Sequence, residues 1–325
     1  ISWKTVDGGM ITIRDVYLAR KIVSKYLKPT PLQYSRKLSK ELGADVYVKL
    51  ENLNPTHSFK VRGGLYYMSL MHDKVKGVVT ASMGNHAQSI AYSGSLYGVE
   101  TTIVMPSWVN PLKKEAVTDL GAKVITYGAY YDEAAAYAQH YAEEHGLVFV
   151  DPINEVKLYP GVATMHLEVV EELPNVETVF NPLGGGSGAI GAVTVYKSIN
   201  PAVKVYAVQA EGAPAFYLSY KKGGLQSTDG VKTRAEGLAV AKAYETPLQI
   251  LKNKLDDVVL VSDEEMEKAV VKLYNTVRQV AELAGAASTA AAYKFAEKIS
   301  GKTVVLMLTG GNIDHKRFSE ILARH

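Results

Sequence analysis

Lys60 stands in a segment whose residue types suit covalent chemistry. It closes residues 51–60 (ENLNPTHSFK), and VRGG follows it. A lysine amine can form a Schiff base with an aldehyde, and enzymes use that bond with carbonyl substrates and with cofactors. Most lysines are solvated surface groups, so one residue among 36 lysines and arginines gains meaning only from the segments downstream.

Residues 82–88 (SMGNHAQ) form a second candidate segment. They follow the apolar stretch 77–80 and open a predicted helix. Backbone N–H groups at a helix start, together with the helix dipole, bind anions, and Ser82, Asn85 and His86 add polar side chains there. An ordinary turn capped by Ser82 explains the same pattern, and a single histidine is more often structural than catalytic.

Residues 181–188 (NPLGGGSG) form a third segment between a predicted strand and a predicted helix. Glycines let the backbone bend and bring N–H groups close to a phosphate, although a flexible loop is the simpler interpretation. The segment is not a nucleoside-triphosphate loop, because no Gly-Lys-Ser/Thr follows it. A dinucleotide site stays open as a weak alternative, since only Gln209 and Glu211 come near the position of the acidic residue that it needs.

Thr309 opens a smaller segment, 309–312 (TGGN), after the last predicted strand. Its hydroxyl could bond a ring nitrogen, whereas a turn is the default interpretation. Alone this segment indicates little. It shares with the other segments its place between regular elements.

Short apolar strands that alternate with helices must position these segments. Strands are predicted at 46–50, 77–80, 101–105, 123–125, 176–180, 203–208 and 303–308. Helices are predicted at 15–26, from Lys60 onward with Ser58 as a cap, and at 88–97, 113–120, 131–144, 189–198, 264–284 and 286–299. This alternation predicts an α/β fold of parallel βαβ units. Open α/β sheets place active sites at the carboxyl ends of their strands, where the candidate segments stand.

The composition is that of an ordinary globular protein, with 47% hydrophobic and 21% charged residues among 325. This length predicts about two lobes. The formal net charge is +3 and the basic residues are scattered, so we expect no nucleic-acid or membrane partner. The apolar run 303–308 is far shorter than the ~20 residues of a membrane span.

The chain has no cysteine. This excludes disulfides, zinc–thiolate sites and cysteine nucleophiles, and it predicts a cytoplasmic location. We expect no signal peptide, since no apolar region follows the first five residues. We also expect residues 1–9 to be an extension without a catalytic role.

Taken together, the segments resemble the fold-type II pyridoxal-phosphate enzymes, and within them the threonine dehydratase (threonine ammonia-lyase) and serine racemase group. The resemblance extends from Thr30 to Asn312. Residues 58–63 resemble the Schiff-base motif of that family, and 82–88 its substrate-carboxylate loop. The other similar segments are 184–188 (the phosphate loop), 209–214 and 235–237.

The resemblance implies a two-lobed, tryptophan-synthase-β-like fold with parallel-rich sheets flanked by helices. Residues 1–67 and 151–325 would form a large lobe with the phosphate loop and the ring-nitrogen site. Residues 68–150 would form a small lobe with the substrate-carboxylate loop. A homodimer or homotetramer is implied as well. No regulatory domain is expected, because the chain stops soon after Asn312.

The resemblance also implies roles around pyridoxal 5'-phosphate. Lys60 would hold the cofactor as a Schiff base and later take the Cα proton of a small amino-acid substrate. The other cofactor contacts would be Phe59 and Gly237 (or Ala235) at the ring faces, Asn85 at the ring hydroxyl, Thr309 at the ring nitrogen, and Gly184, Gly185, Gly186, Ser187 and Gly188 at the phosphate. The substrate carboxylate would bind the segment made of Ser82, Met83, Gly84, Asn85 and His86.

The implied reaction is β-elimination from L-threonine or L-serine, which gives 2-oxobutanoate or pyruvate and ammonia. A neutral hydroxyl at Thr309 would leave the ring nitrogen largely unprotonated, and the weaker electron sink favours prompt loss of the β-hydroxyl. Racemases of this group carry a second serine, a base, where this chain has Met83. A thioether cannot abstract a proton, so racemisation is disfavoured.

Alternatives remain open. One is a threonine synthase, or another β-replacing or racemising enzyme of the same fold, because a threonine at position 309 resembles the synthases. The other is a non-catalytic ligand-binding homologue, against which the intact Lys60 argues. No metal is assigned, since Gln209 stands where some relatives have an acidic ligand.

Overall fold

The computed structural model describes residues 11–129 and 131–325, so the expectation for residues 1–9 lies outside the described residues. The strands of the described part are β1 (Leu32–Tyr34), β2 (Asp45–Leu50), β3 (Gly77–Ala81), β4 (Glu100–Met105), β5 (Lys123–Thr126), β6 (Val148–Phe149), β7 (Thr178–Pro182), β8 (Lys204–Ala210), β9 (Asp257–Val261) and β10 (Thr303–Leu308). The helices are α1 (Ile13–Val23), α2 (Arg36–Leu42), α3 (Lys60–Met71), α4 (Asn85–Tyr97), α5 (Pro111–Thr118), α6 (Tyr131–His145), α7 (Tyr159–Glu172), α8 (Ser187–Ile199), α9 (Ala215–Lys222), α10 (Glu245–Leu251), α11 (Asp263–Val277), α12 (Leu283–Lys294), α13 (Ala296–Ile299) and α14 (His315–Arg324).

Two sheets carry the fold. The larger sheet has the strand order β1-β2-β10-β7-β8-β9, and every neighbouring pair except β1–β2 is parallel. The smaller sheet has the order β5-β4-β3-β6 and is parallel throughout. This confirms the predicted α/β class with parallel-rich sheets. The strands of the smaller sheet lie within residues 77–149, while the lobe boundaries near 68 and 150 stay a prediction.

Strand β10 shows why the larger sheet needs helices on both faces. Val305 and Met307 pack into the apolar cluster that includes α7 and α8, whereas Val304, Leu306 and Leu308 pack into the cluster that includes α11 and α12. Successive side chains of a strand point to opposite faces, so a strand that is apolar throughout must be covered twice. In the part of the chain that is described, no helix has both the length and the apolarity to cross a membrane.

The helices near residue 280 differ from the prediction. The long helix predicted at 264–284 ends at Val277, because Arg278 has a φ of 57°, which a right-handed helix does not include. The next helix begins at Leu283 rather than Ala286. Strands β1, β6 and β9 were not among the predicted elements.

The start of α3 differs from the prediction as well. Ser58 does not cap this helix: Phe59 holds the N-cap position and makes no side-chain capping bond. Ser58 instead pairs its backbone with Gly310 in an isolated bridge. The helix that begins with Lys60 is therefore held by the chain segment after β10 rather than by a capping side chain.

His57 is expected to cost stability where it stands. Its φ of 57° lies in the left-handed region, where residues other than glycine lose roughly 1–2 kcal/mol, and its side chain is exposed. We expect His57→Gly to raise the free energy of unfolding by roughly 0.5–1 kcal/mol, the remainder being offset by the greater freedom of glycine in the unfolded chain. Urea denaturation measures the change. His140→Gly, at an exposed position of α6, is the control, and its free energy of unfolding should fall by about 1 kcal/mol. If both substitutions lower the free energy of unfolding equally, the backbone at His57 is not strained.

Candidate active site

Neighbouring strands bring three of the predicted segments together. Strand β10 lies between β2 and β7 and is parallel to both, and its last residue, Leu308, is paired with Leu50 at the end of β2. The segments after these three strands contain Lys60, Thr309 and the glycines. The backbone N–H of Phe59 donates to the carbonyl oxygen of Thr309 (3.0 Å). The predicted lysine and threonine are therefore neighbours in space.

The amine of Lys60 lies at the start of α8. Its Nζ donates to Oγ of Ser187 (3.1 Å), the first residue of that helix, and lies 5.0 Å from the ring centroid of Phe59. The surrounding protein desolvates the amine and lowers the pKa of Lys60 to about 8. Because the neutral amine is the nucleophile, the reactive fraction at pH 7 rises to roughly one tenth.

A buried ion network anchors α3 beside this lysine. Arg62 donates to both carboxylate oxygens of Glu51 and of Glu168, at 2.7 to 2.8 Å. Lys49 donates to Glu168 as well (2.7 Å), so two positive and two negative groups face each other, and all four side chains are buried. Burial alone would raise the pKa of Glu51, but the guanidinium of Arg62 overrides it and holds that pKa at about 2.

The four glycines of the glycine loop, residues 184–188, have little or no room for side chains. A Cβ on Gly184 would lie 2.1 Å from the carbonyl oxygen of Gly237. Gly186 has a φ of 107°, which other residues rarely adopt. A Cβ on Gly185 would lie 2.8 Å from Ile153, and a Cβ on Gly188 would lie 2.6 Å from Asn181. The four glycines thus present bare backbone around Ser187, the first residue of α8.

Bare backbone at a helix start is suited to a phosphate group. The amine of Lys60, which can bind an aldehyde, contacts the first residue of the same helix. Pyridoxal phosphate carries both an aldehyde and a phosphate. The residues of this site therefore fit that cofactor: Lys60 would hold its aldehyde carbon, and Ser187 with the glycine loop would hold its phosphate.

Ser82 orders the turn before α4. Its Oγ accepts from the backbone N–H groups of Gly84 (3.2 Å) and Ala87 (3.3 Å). The first amides of a helix have no acceptor within it, so those of Asn85 and His86 are left for an anion. This arrangement suits a substrate carboxylate at the end of β3.

The side chains of His86 and Met83 face the protein. His86 is buried, its Nε2 lies 3.1 Å from Oγ1 of Thr80, and burial lowers its pKa to about 3, so the ring is neutral at physiological pH. Met83 packs against the apolar core. Of His86, only the backbone amide is therefore available for the predicted contact with substrate.

Asn85 is held from both sides by residues to which the sequence analysis gave no role. Its Nδ2 donates to Oε1 of Glu282 (2.7 Å), and its Oδ1 accepts from Nδ2 of Asn312 (2.7 Å). Desolvation raises the pKa of Glu282 to about 7. Glu282 is 197 positions away from Asn85 and stands before an alanine-rich helix, so no local pattern could have indicated it.

Gln209, which stands where some relatives have an acidic metal ligand, is engaged within the fold. The side-chain oxygen of Gln209 accepts from the backbone N–H of Tyr217 (2.9 Å). Over residues 11–129 and 131–325, no three His, Asp or Glu side chains form a group that could hold a metal ion. The roles of the other predicted site residues, including Thr309 and Gly237, stay predictions.

The family is established by comparison with known proteins. The sequence model described as pyridoxal-phosphate dependent enzyme matches residues 23–310, a span that holds Lys60, the glycine loop and Thr309. The chain belongs to the pyridoxal-phosphate dependent enzymes, and its fold is that of fold type II. Pyridoxal phosphate is its cofactor, which confirms the prediction from the sequence.

Individual relatives cover nearly the whole chain. The L-threonine ammonia-lyase of Thermotoga maritima is 39% identical over 318 residues, which are 96% of this chain and 78% of that protein. The processed form of threonine deaminase isoform 2 from Solanum lycopersicum superposes with a TM-score of 0.89 at 31% identity, over 97% of this chain and 89% of that one. Maize serine racemase superposes with a TM-score of 0.91 at 27% identity, over 97% of each chain.

Proposed function

We propose that this enzyme deaminates L-threonine, and also L-serine, by β-elimination, releasing 2-oxobutanoate or pyruvate and ammonia. The relatives named threonine ammonia-lyase and threonine deaminase support this proposal. The observation that carries it is the asymmetry of the site. Lys60 offers an amine with a lowered pKa, whereas position 83 offers a partly buried thioether that packs against the core and cannot take a proton.

In this mechanism, bound pyridoxal phosphate supplies an electron sink for the bonds at the substrate Cα. Lys60 holds the cofactor, and its released Nζ takes the proton from Cα. Ser82 and the amides of Asn85 and His86 bind the substrate carboxylate, which orients the Cα–H bond toward the amine.

The remaining residues hold and orient the cofactor. Ser187 and the glycine loop bind its phosphate, and Asn85 bonds the ring hydroxyl. Thr309 would place a neutral hydroxyl at the ring nitrogen, and this hydroxyl would not stabilise a proton there as a carboxylate would. Phe59 and Gly237 would contact the two faces of the ring. With an unprotonated ring nitrogen the bound cofactor would be a weaker electron sink, which would favour prompt loss of the β-hydroxyl as water.

The deciding assay is formation of 2-oxobutanoate from L-threonine by purified protein loaded with pyridoxal phosphate. We expect 2-oxobutanoate and ammonia to form in equal amounts. Loaded protein that makes no keto acid would refute the proposal. Turnover of O-phosphohomoserine without activity on threonine would select a synthase instead, and protein that stays colourless with pyridoxal phosphate would select a non-catalytic homologue.

Attachment of the cofactor should depend on pH through Lys60. Desolvation lowers the pKa of this amine to about 8, and only the neutral amine attacks an aldehyde. Raising the pH through 8 therefore increases the reactive form. We expect the attachment rate of added pyridoxal phosphate to rise about tenfold per pH unit below 8 and to level off above it, as followed by stopped-flow absorbance. A rise that continues to pH ~10, the range of an ordinary lysine, would contradict the lowered pKa.

We further propose a homodimer or homotetramer that works in the cytoplasm. The family resemblance supports the assembly, and the absence of cysteine suits a reducing compartment. Analytical ultracentrifugation of the loaded protein tests the assembly. A single monomeric species at micromolar concentration would refute it.

A further inference from the structure

Glu282 is a titratable group close to the site that the mechanism above does not use. It precedes α12, and its Oε1 accepts from Nδ2 of Asn85 (2.7 Å). A Cβ on Gly310 would lie 2.1 Å from the same oxygen, and the backbone N–H of Glu282 donates to the carbonyl of Gly310 (3.1 Å). The carboxyl group is thus fixed between Asn85 and the residue that follows Thr309.

The surroundings of Glu282 are unusual for a carboxyl group. Within the described ranges it forms no salt bridge, and desolvation raises its pKa to about 7. The hydrogen bond from Asn85 opposes this rise, Glu236 raises the pKa further, and Lys113 and Arg317 lower it from a distance; Lys113 is itself paired with Glu236. A carboxyl group kept without a cation costs stability, and such groups concentrate at functional sites.

The hydrogen bonds of Asn85 define which of its groups remain free. A carboxamide has two N–H donors and one acceptor oxygen. Asn312 donates to that oxygen, and the same nitrogen of Asn312 also donates to the carbonyl of Thr56 (2.9 Å), which sets the orientation of Asn312. Glu282 accepts one N–H of Asn85. The donor that Asn85 retains is its second N–H.

We propose that Glu282 is a positioning residue: together with Asn312 it orients the Asn85 carboxamide, so that an N–H is what Asn85 offers to the ring oxygen of the cofactor. The inference rests on the proposed function, which assigns Asn85 to that oxygen. A donor stabilises the oxygen in its deprotonated form. Glu282 would thereby influence the protonation of the bound cofactor through Asn85.

A double-mutant cycle tests this inference. Apo protein is titrated with pyridoxal phosphate, and the Kd is read from the visible absorbance, in the wild type, Asn85→Ala, Glu282→Leu and the double variant. We expect each single variant to weaken binding about tenfold, the loss of a hydrogen bond to a charged group. Because Glu282 acts through Asn85, the double variant should bind within about twofold of Asn85→Ala.

A conservative variant and a second readout separate positioning from a merely structural role. Glu282→Gln keeps an acceptor of the same shape, and its Kd should stay within about threefold of the wild type. The pH midpoint at which the visible band of the bound cofactor changes should shift in the same direction in Asn85→Ala and Glu282→Leu, and it should not shift in Glu282→Gln.

Additive losses in the double variant, or a wild-type Kd and midpoint in Glu282→Leu, would overturn the inference. If Glu282→Leu does not fold, as judged by circular dichroism, Asn312→Leu takes its place in the cycle, because it removes the other anchor of the same amide. If the wild-type protein binds pyridoxal phosphate and makes 2-oxobutanoate but the double-mutant cycle is additive, only this inference is refuted. Wild-type protein that does not bind the cofactor refutes the proposed function as well.

Discussion

Lys60→Ala is expected to lower kcat for 2-oxobutanoate formation by at least ~10³-fold and to abolish the visible band of the bound cofactor. The substitution removes the amine that contacts Ser187 at the phosphate end of the site, so both covalent attachment and proton transfer are lost. Steady-state kinetics and absorbance spectra of the purified variant measure the two effects.

Lys74→Ala is the matched control. This lysine lies just beyond the end of α3, is exposed, and donates to a backbone carbonyl of that helix. We expect its spectrum and turnover to equal those of the wild type. Should Lys60→Ala keep both the band and the turnover, another lysine carries the cofactor and the assignment of Lys60 is wrong.

Arg62→Met is expected to lower the free energy of unfolding by ~3–5 kcal/mol, the usual cost of removing one partner from a buried ion pair. It leaves the buried carboxylates of Glu51 and Glu168 with Lys49 as the remaining cation of the network. Methionine has a comparable length and fills part of the space, so the loss reports the charges more than the volume. The midpoint of urea denaturation, at unchanged m-value, measures it.

A surface pair provides the comparison for Arg62. Lys268 bonds Glu264 one turn away on α11, and both side chains are more than half exposed (60% and 66%). Such a pair is screened by water, so Lys268→Met should cost less than ~1 kcal/mol. A loss at Arg62 no greater than that at Lys268 would show that the buried network does not stabilise the fold.

The parts of the site that could be predicted are those whose chemistry depends on residues close together in the sequence. Lys60, the glycine loop and Thr309 each follow a strand, and the strands β2, β7 and β10 are adjacent and parallel, so segments recognised one by one meet at one edge of the sheet. The alternation of strands and helices likewise predicted the α/β class.

The parts that were not predictable depend on partners far apart along the chain. Arg62 bonds Glu168, 106 positions away, and Asn85 bonds Glu282, 197 positions away; neither pairing has a local pattern. The end of α11 was missed because Arg278, a good helix former, takes a left-handed conformation. The prediction of a cap at Ser58 was wrong because the long-range pairing with Gly310 overrides the local preference.

The pairing of residues 57–59 with residues 309–311 has a mechanical consequence. Phe59 bonds Thr309, Gly311 bonds His57, and the Ser58–Gly310 bridge lies between them. Thr309, at the proposed ring-nitrogen site, belongs to this short ladder, and Lys60 directly follows it. The distance between the backbones of these two residues therefore does not depend on the smaller sheet. Segment 82–88 follows β3, a strand of that smaller sheet. A displacement of the smaller sheet relative to the larger one would therefore move the proposed contacts to the substrate carboxylate, while the spacing between Lys60 and Thr309 would stay the same.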